Sequence, residues 1–194
     1  MDDFEFVFSL FGLLIGFSLV EVVSGLGRAV EVRVRPARSG EGPRPRIGML
    51  SPLLGLFVIF NLVSFWTAAW SLRGAFPVQY PVLLFGLTVT GGYYFAAMLV
   101  FPRDIQEWTD LDDHYFQVKR WVVAVIAVCN ALGSAGAVLA GLNPLAGVVA
   151  VVLNLLFFGL LAALFFVRGR RANLALLVLI AAEYPLASLI TALL

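Results

Sequence analysis

Residues 145–167 read LAGVVAVVLNLLFFGLLAALFFV, a run of 23 positions without a charge in which Asn154 is the one side chain able to hydrogen-bond. As a helix it would rise roughly 35 Å, enough to cross a hydrocarbon core about 30 Å thick. Five further windows have the same character, at 6–27, 49–70, 82–101, 121–140 and 174–194. The expected fold is therefore all-α. It is a polytopic integral membrane protein whose six transmembrane helices form one bundle and one domain, residues 1–194.

Composition agrees. Of 194 residues 61% are apolar and 13% charged, whereas soluble domains carry about 25% charge. A soluble domain and a disordered chain are both excluded. One cysteine, Cys129, excludes a disulfide scaffold and any multi-cysteine metal cluster; within the fourth window it reads as a small buried apolar residue.

Only two charges fall inside the windows, Glu21 and Glu183. The others lie in the connections, and six alternating spans divide those connections into two sets. One set holds twelve basic residues: Arg28, Arg33, Arg35, Arg38, Arg44 and Arg46, then Arg103, Lys119 and Arg120, then Arg168, Arg170 and Arg171. The other holds Arg73 alone. The positive-inside rule assigns the first set to the cytoplasm, so both termini are expected to be periplasmic. Trp66 and Trp70 near one boundary, with Trp108 and Trp121 near the other, fit interfacial belts. The acidic start at Asp2, Asp3 and Glu5 is unlike a signal peptide, and the first window is expected to be retained. Arg outnumbers Lys twelve to one, a usage that points to a GC-rich bacterium and hence to its inner membrane.

The connection 28–48 combines six arginines with turn formers at Pro36, Ser39-Gly40 and Gly42-Pro43. Besides setting topology, Arg28 to Arg46 are expected to lean on anionic lipid headgroups. Without interleaved aromatics or an accompanying domain, the stretch gives no reason to expect nucleic acid. The connection 102–120 is acidic. Thr109 followed by Asp112 resembles a capping box, which predicts a short interfacial helix running into the fourth span. Asp110, Asp112, Asp113 and His114 could be imagined around a divalent metal, but the glycine and spacing of a calcium loop are missing, so no metal is expected. Docking of this acidic segment on the basic one is a compatible alternative. His114 is the only histidine and lies outside the spans, so no bis-histidine haem can be built, and no cofactor is expected.

Polar groups inside the spans carry the functional signal. Asn61, Thr90, Asn130, Asn154 and Glu183 lie near mid-span, with Glu21 closer to the cytoplasmic end of the first. Facing lipid is costly, so these groups are expected to point inward, either as interhelical glue or as a pathway. Intramembrane acids usually mark ion or proton routes, and no Lys or Arg falls within any window. Glu183 must then be neutral, hydrated or reached by a cation. Pro185, two residues on, would free the Ala181 carbonyl one turn away. Thr88, Thr90, Gly91, Gly92, Tyr93 and Tyr94 mark a second irregularity, with Tyr94 a hydrogen-bond partner for the acid. Gly12 and Gly16 form a small-xxx-small pair roughly opposite Glu21, which makes the first span either central to the bundle or shared between subunits of a homo-oligomer.

Pro52-Leu53-Leu54-Gly55 leading to Asn61-Leu62 recurs as Pro144-Leu145-Ala146-Gly147 leading to Asn154-Leu155, with one extra residue, and the same offset sets Thr90 against Glu183. Two three-helix units would insert in opposite senses, giving an inverted repeat. In span number, length and orientation the map resembles the bacterial urea and amide channels; the likeness carries no motif, and no function is taken from it. The leading expectation is a small inner-membrane channel or carrier for a proton, cation or small polar solute, centred on Glu183. The alternative is a noncatalytic scaffold or subunit. An enzyme acting on lipid or quinone ranks last, since no nucleophile–base pair is visible.

Overall fold

A computed structural model describes residues 3–35, 44–72 and 79–193. It contains six helices: α1 (Asp3–Val34), α2 (Leu50–Ser71), α3 (Tyr80–Val100), α4 (Leu111–Leu139), α5 (Val148–Phe166) and α6 (Arg170–Leu193). All six are long and apolar enough to cross a membrane. Large apolar side chains stay exposed around the outside, among them Leu13, Phe17, Val63, Val128, Leu155 and Leu179, a surface suited to lipid rather than water.

The helix ends follow local chemistry. Helix α4 stops in a Schellman motif, in which the Leu142 N–H donates to the Ala137 carbonyl and the Gly141 N–H to that of Val138, both at 3.0 Å. Gly141 takes φ +79°, a conformation open to glycine at little cost. Pro81 sits in the first turn of α3, where its missing N–H has no helical partner to lose. At the start of α4 the N-cap is Asp110, whose carboxylate accepts the Asp112 N–H at 2.9 Å. This corrects the expectation of a capping box begun by Thr109.

Helices α1 and α4 run well beyond their apolar windows, and α6 starts four residues before its own. Nothing in residues 28–34 breaks a helix, and α1 runs on to Val34, so Arg28 and Arg33 belong to a helix rather than a loop. Arg38 and Arg73 lie outside the described residues. Helix α4 starts at Leu111 and continues into the fourth span without a break, joining the expected interfacial helix to the membrane-length one.

Helix α2 is the centre of the bundle, in contact with α1, α3, α4 and α6. Among the described residues α1 packs on α2 and α3 and not on α4, α5 or α6, so of the two places expected for the first span it does not take the central one. The reason is visible at Gly12, where a Cβ would lie 2.8 Å from the Trp66 ring of α2: the glycine makes room for an indole of its own chain. Gly16 faces open space. Gly92 similarly leaves room for Cys129 of α4, and α3 passes through the glycine pair unbroken. Helices α1 and α3 pack closely along their length, whereas their repeat counterparts α4 and α6 meet through side chains at one end, Tyr115 and Lys119 on Asn173.

Candidate functional site

Midway along the bundle, four polar side chains from four helices meet. The Asn130 Nδ2 of α4 lies 3.1 Å from Asn61 Oδ1 of α2 and 3.2 Å from the Tyr93 hydroxyl of α3, besides 2.9 Å from the Ile126 carbonyl of its own helix. Asn61 in turn donates to the Tyr184 hydroxyl of α6. Asn61 and Tyr93 are fully buried, and in that setting an unpaired amide or phenol would cost several kcal/mol. Chain-distant residues are thus locked to one another.

Against this network lies a cavity of about 190 Å³, walled by Ser64, Asn130, Leu153, Asn154, Glu183 and Tyr184 from α2, α4, α5 and α6. Glu183 is 9% exposed, and its Oε2 has no hydrogen-bond partner among the described residues. The Asn154 Nδ2 donates to the Ala150 carbonyl at 3.0 Å, which leaves its amide oxygen as an acceptor. No Lys or Arg lines this cavity. The site offers a carboxyl, amide oxygens and hydroxyls, a hard-oxygen set suited to a proton, a small cation or ordered water.

Of the residues singled out in the sequence, Asn130, Asn154 and Glu183 line the cavity and Asn61 backs it. Thr90 is buried but satisfied by its own helix, donating to the Gly86 carbonyl at 2.8 Å. Glu21 lies on α1, which does not pack on α4, α5 or α6. Tyr93 rather than Tyr94 reaches the network, because successive helical residues point 100° apart and α4 and α2 lie on the Tyr93 side. Tyr93 and Tyr184 were missed as partners; the one available signal was the adjacency of Tyr184 to Glu183.

No family model, curated protein or solved structure matches this chain.

A second polar assembly closes the arginine-rich end. Arg46 and residues 109–111 exchange backbone hydrogen bonds, Arg46 N–H to the Thr109 carbonyl at 2.8 Å and Leu111 N–H to the Arg46 carbonyl at 2.9 Å. The acidic segment therefore docks on the basic one, though through backbone. Asp112 accepts the Leu50 N–H at 3.1 Å, placing a carboxylate at the positive end of α2. The Arg170 guanidinium reaches Asp110 at 3.0 Å, Asp112 at 3.4 Å and Asp113 at 3.7 Å. Burial works to raise the Asp110 pKa, yet the Asp112 amide, Arg170 and the charge of Arg46 together hold it below the ordinary value. His114 turns away from these acids, its Nε2 3.1 Å from the Leu99 carbonyl and its ring edge-on to Trp108. These groups join helix ends to one another and do not converge on a common point.

Lys119, a connection charge by its place in the sequence, is 2% exposed within α4. Its ammonium donates to the Leu164 carbonyl at 3.1 Å, to Asn173 Oδ1 at 2.9 Å and to the Val167 carbonyl. Tyr115, one turn earlier, donates to the same Asn173 oxygen at 2.8 Å. The lysine thus fastens α4 to the end of α5, to the turn that follows it and to the first turn of α6 through neutral acceptors. The i, i+4 spacing of Tyr115 and Lys119 was the available clue.

Proposed function

We propose that the chain is a small carrier or channel of a bacterial inner membrane, passing a proton, cation or small polar solute by way of the Glu183 cavity. The observation that supports this is the unpartnered Glu183 carboxyl oxygen beside a 190 Å³ space among four helices. Burying such a group without a partner is costly, and a purely structural acid would be expected to have found one. Glu183 takes up the proton or cation. Asn130, Asn154 and Ser64 supply the neighbouring oxygens, and the Asn61–Tyr184 bond fixes α6 next to the acid. The twelve basic residues that the order of the apolar stretches assigns to one side orient that side toward the cytoplasm and both termini toward the periplasm. An inverted repeat is not required by this site, whose walls come unequally from the two halves. The open Gly16 face of α1 is the surface through which a homo-oligomer would form.

A second reading is a noncatalytic scaffold, favoured by the closed Asn61–Asn130–Tyr93–Tyr184 network, which ties four helices together without needing a passenger. Reconstitution in liposomes loaded with a pH-sensitive dye separates the two. Flux above that of protein-free liposomes supports transport. Background flux across proton, sodium and potassium gradients leaves the scaffold.

A further inference from the structure

Between the basic ends of α4 and α5 lies a cavity of about 800 Å³ walled by Phe116, Lys119, Arg120, Trp121, Phe165 and Arg168. Its three cations have no carboxylate within ion-pair distance among the described residues, since the acids of this end face Arg170. Lys119 donates its hydrogen bonds to neutral oxygens and lies over the Phe116 ring at 5.3 Å, so no anion of the described residues balances its charge in a wall it shares with Arg120 and Arg168. Arg120 rests over the Phe165 ring at 5.5 Å, which orients its guanidinium at the mouth. Like charges gathered with no anion of the protein's own are relieved by an anion from outside, and arginine forks match phosphate oxygens bidentately. A free phosphate would fill little of this volume. The aromatic walls, and a Trp121 that is 66% exposed where the apolar stretch of α4 begins, suit a molecule that continues into the membrane.

We propose that this pocket binds an anionic phospholipid, with Arg120 and Arg168 on the headgroup phosphate, Lys119 as a fixed positive charge behind it, and the upper acyl chain against Phe116 and Trp121. Basic pockets between membrane helices are suited to such headgroups. The assignment does not depend on transport.

The test uses the full chain in a nonionic detergent, titrated separately with dioleoyl phosphatidylglycerol, dioleoyl phosphatidylcholine and inorganic phosphate, with Tm and native mass spectrometry as readouts. Phosphatidylglycerol is expected to raise Tm saturably and to remain bound at one per chain. Phosphatidylcholine and inorganic phosphate are expected to do neither. Replacing Arg120 and Arg168 together by Gln should weaken the phosphatidylglycerol response about tenfold or more, as loss of charge-assisted phosphate bonds implies, while leaving the lipid-free Tm unchanged. If that double variant does not fold, Arg120→Lys and Arg168→Lys retain the charge without the fork, and weakened binding in either supports the site. Equal responses to both lipids, or a phosphatidylglycerol response unaltered by these substitutions, would overturn the proposal. A shift reproduced by inorganic phosphate alone would reassign the pocket to a soluble anion.

Discussion

Asn130 and Asn61, 69 positions apart in the chain, meet through an Nδ2-to-Oδ1 hydrogen bond of 3.1 Å that joins α4 to the central helix α2. Hydrogen bonds between membrane helices contribute about 0.6 kcal/mol on average and up to about 1.7. Asn61→Leu and Asn130→Leu should each lower stability by about 1 kcal/mol, and the double variant by less than their sum. Thermal unfolding in detergent over the full cycle measures this; strict additivity would mean that the bond is not formed.

Gly12 and Gly16, one turn apart, should respond differently to enlargement. Gly12→Leu drives a side chain into Trp66 and should destabilise the folded chain by about 1–3 kcal/mol, as overpacking does. Gly16→Leu meets open space and should leave Tm in place while splitting any homo-oligomer seen in mild detergent. Size-exclusion chromatography with light scattering reads the second outcome; a native monomer across mild detergents removes the oligomer.

The Arg170 clamp should fail in acid. Because the folded-state pKa of Asp110 is depressed, its contribution to stability is fully present above the ordinary carboxylate value, about 4, and is lost as pH falls through the lower folded value. Arg170→Gln should flatten that part of the Tm-against-pH curve and lower Tm at neutral pH. An acid limb of unchanged slope in the variant would show that other groups govern it.

Orientation can be read with the chain's own chemistry, since the single cysteine, Cys129, is buried. Cysteine introduced at Gln79 should react with an impermeant thiol reagent added outside intact cells, and cysteine at Gln106 should not. Reversed labelling would invert the topology.

The six long apolar helices were legible because a run long and apolar enough to cross a membrane leaves little choice of composition, and Asn61, Asn130, Asn154 and Glu183 stood out because a polar residue in an apolar run is conspicuous. Tyr93 and Tyr184 were not, since a tyrosine inside a span reads as apolar until the helix facing its hydroxyl is known. Lys119 was hidden for a different reason. A lysine two residues before an apolar window looks like a topology signal, and only the tight α5–α6 turn, with Asn173 folded back onto the Val167 and Gly169 carbonyls, supplies the acceptors that bury it. Helix order around α2 was likewise set by contacts such as Gly12 on Trp66, which no single-span pattern encodes.

The central claim is that Glu183 is the working group of a transport site, and the measurement that tests it most directly is dye-reported flux in liposomes carrying equal amounts of wild-type protein and Glu183→Gln. Gln keeps the shape of the side chain but cannot exchange a proton or balance a cation. The account predicts that the variant folds and inserts like wild type and has lost pH-dependent flux. Wild-type flux at background, or full pH-dependent flux in the variant, would contradict it.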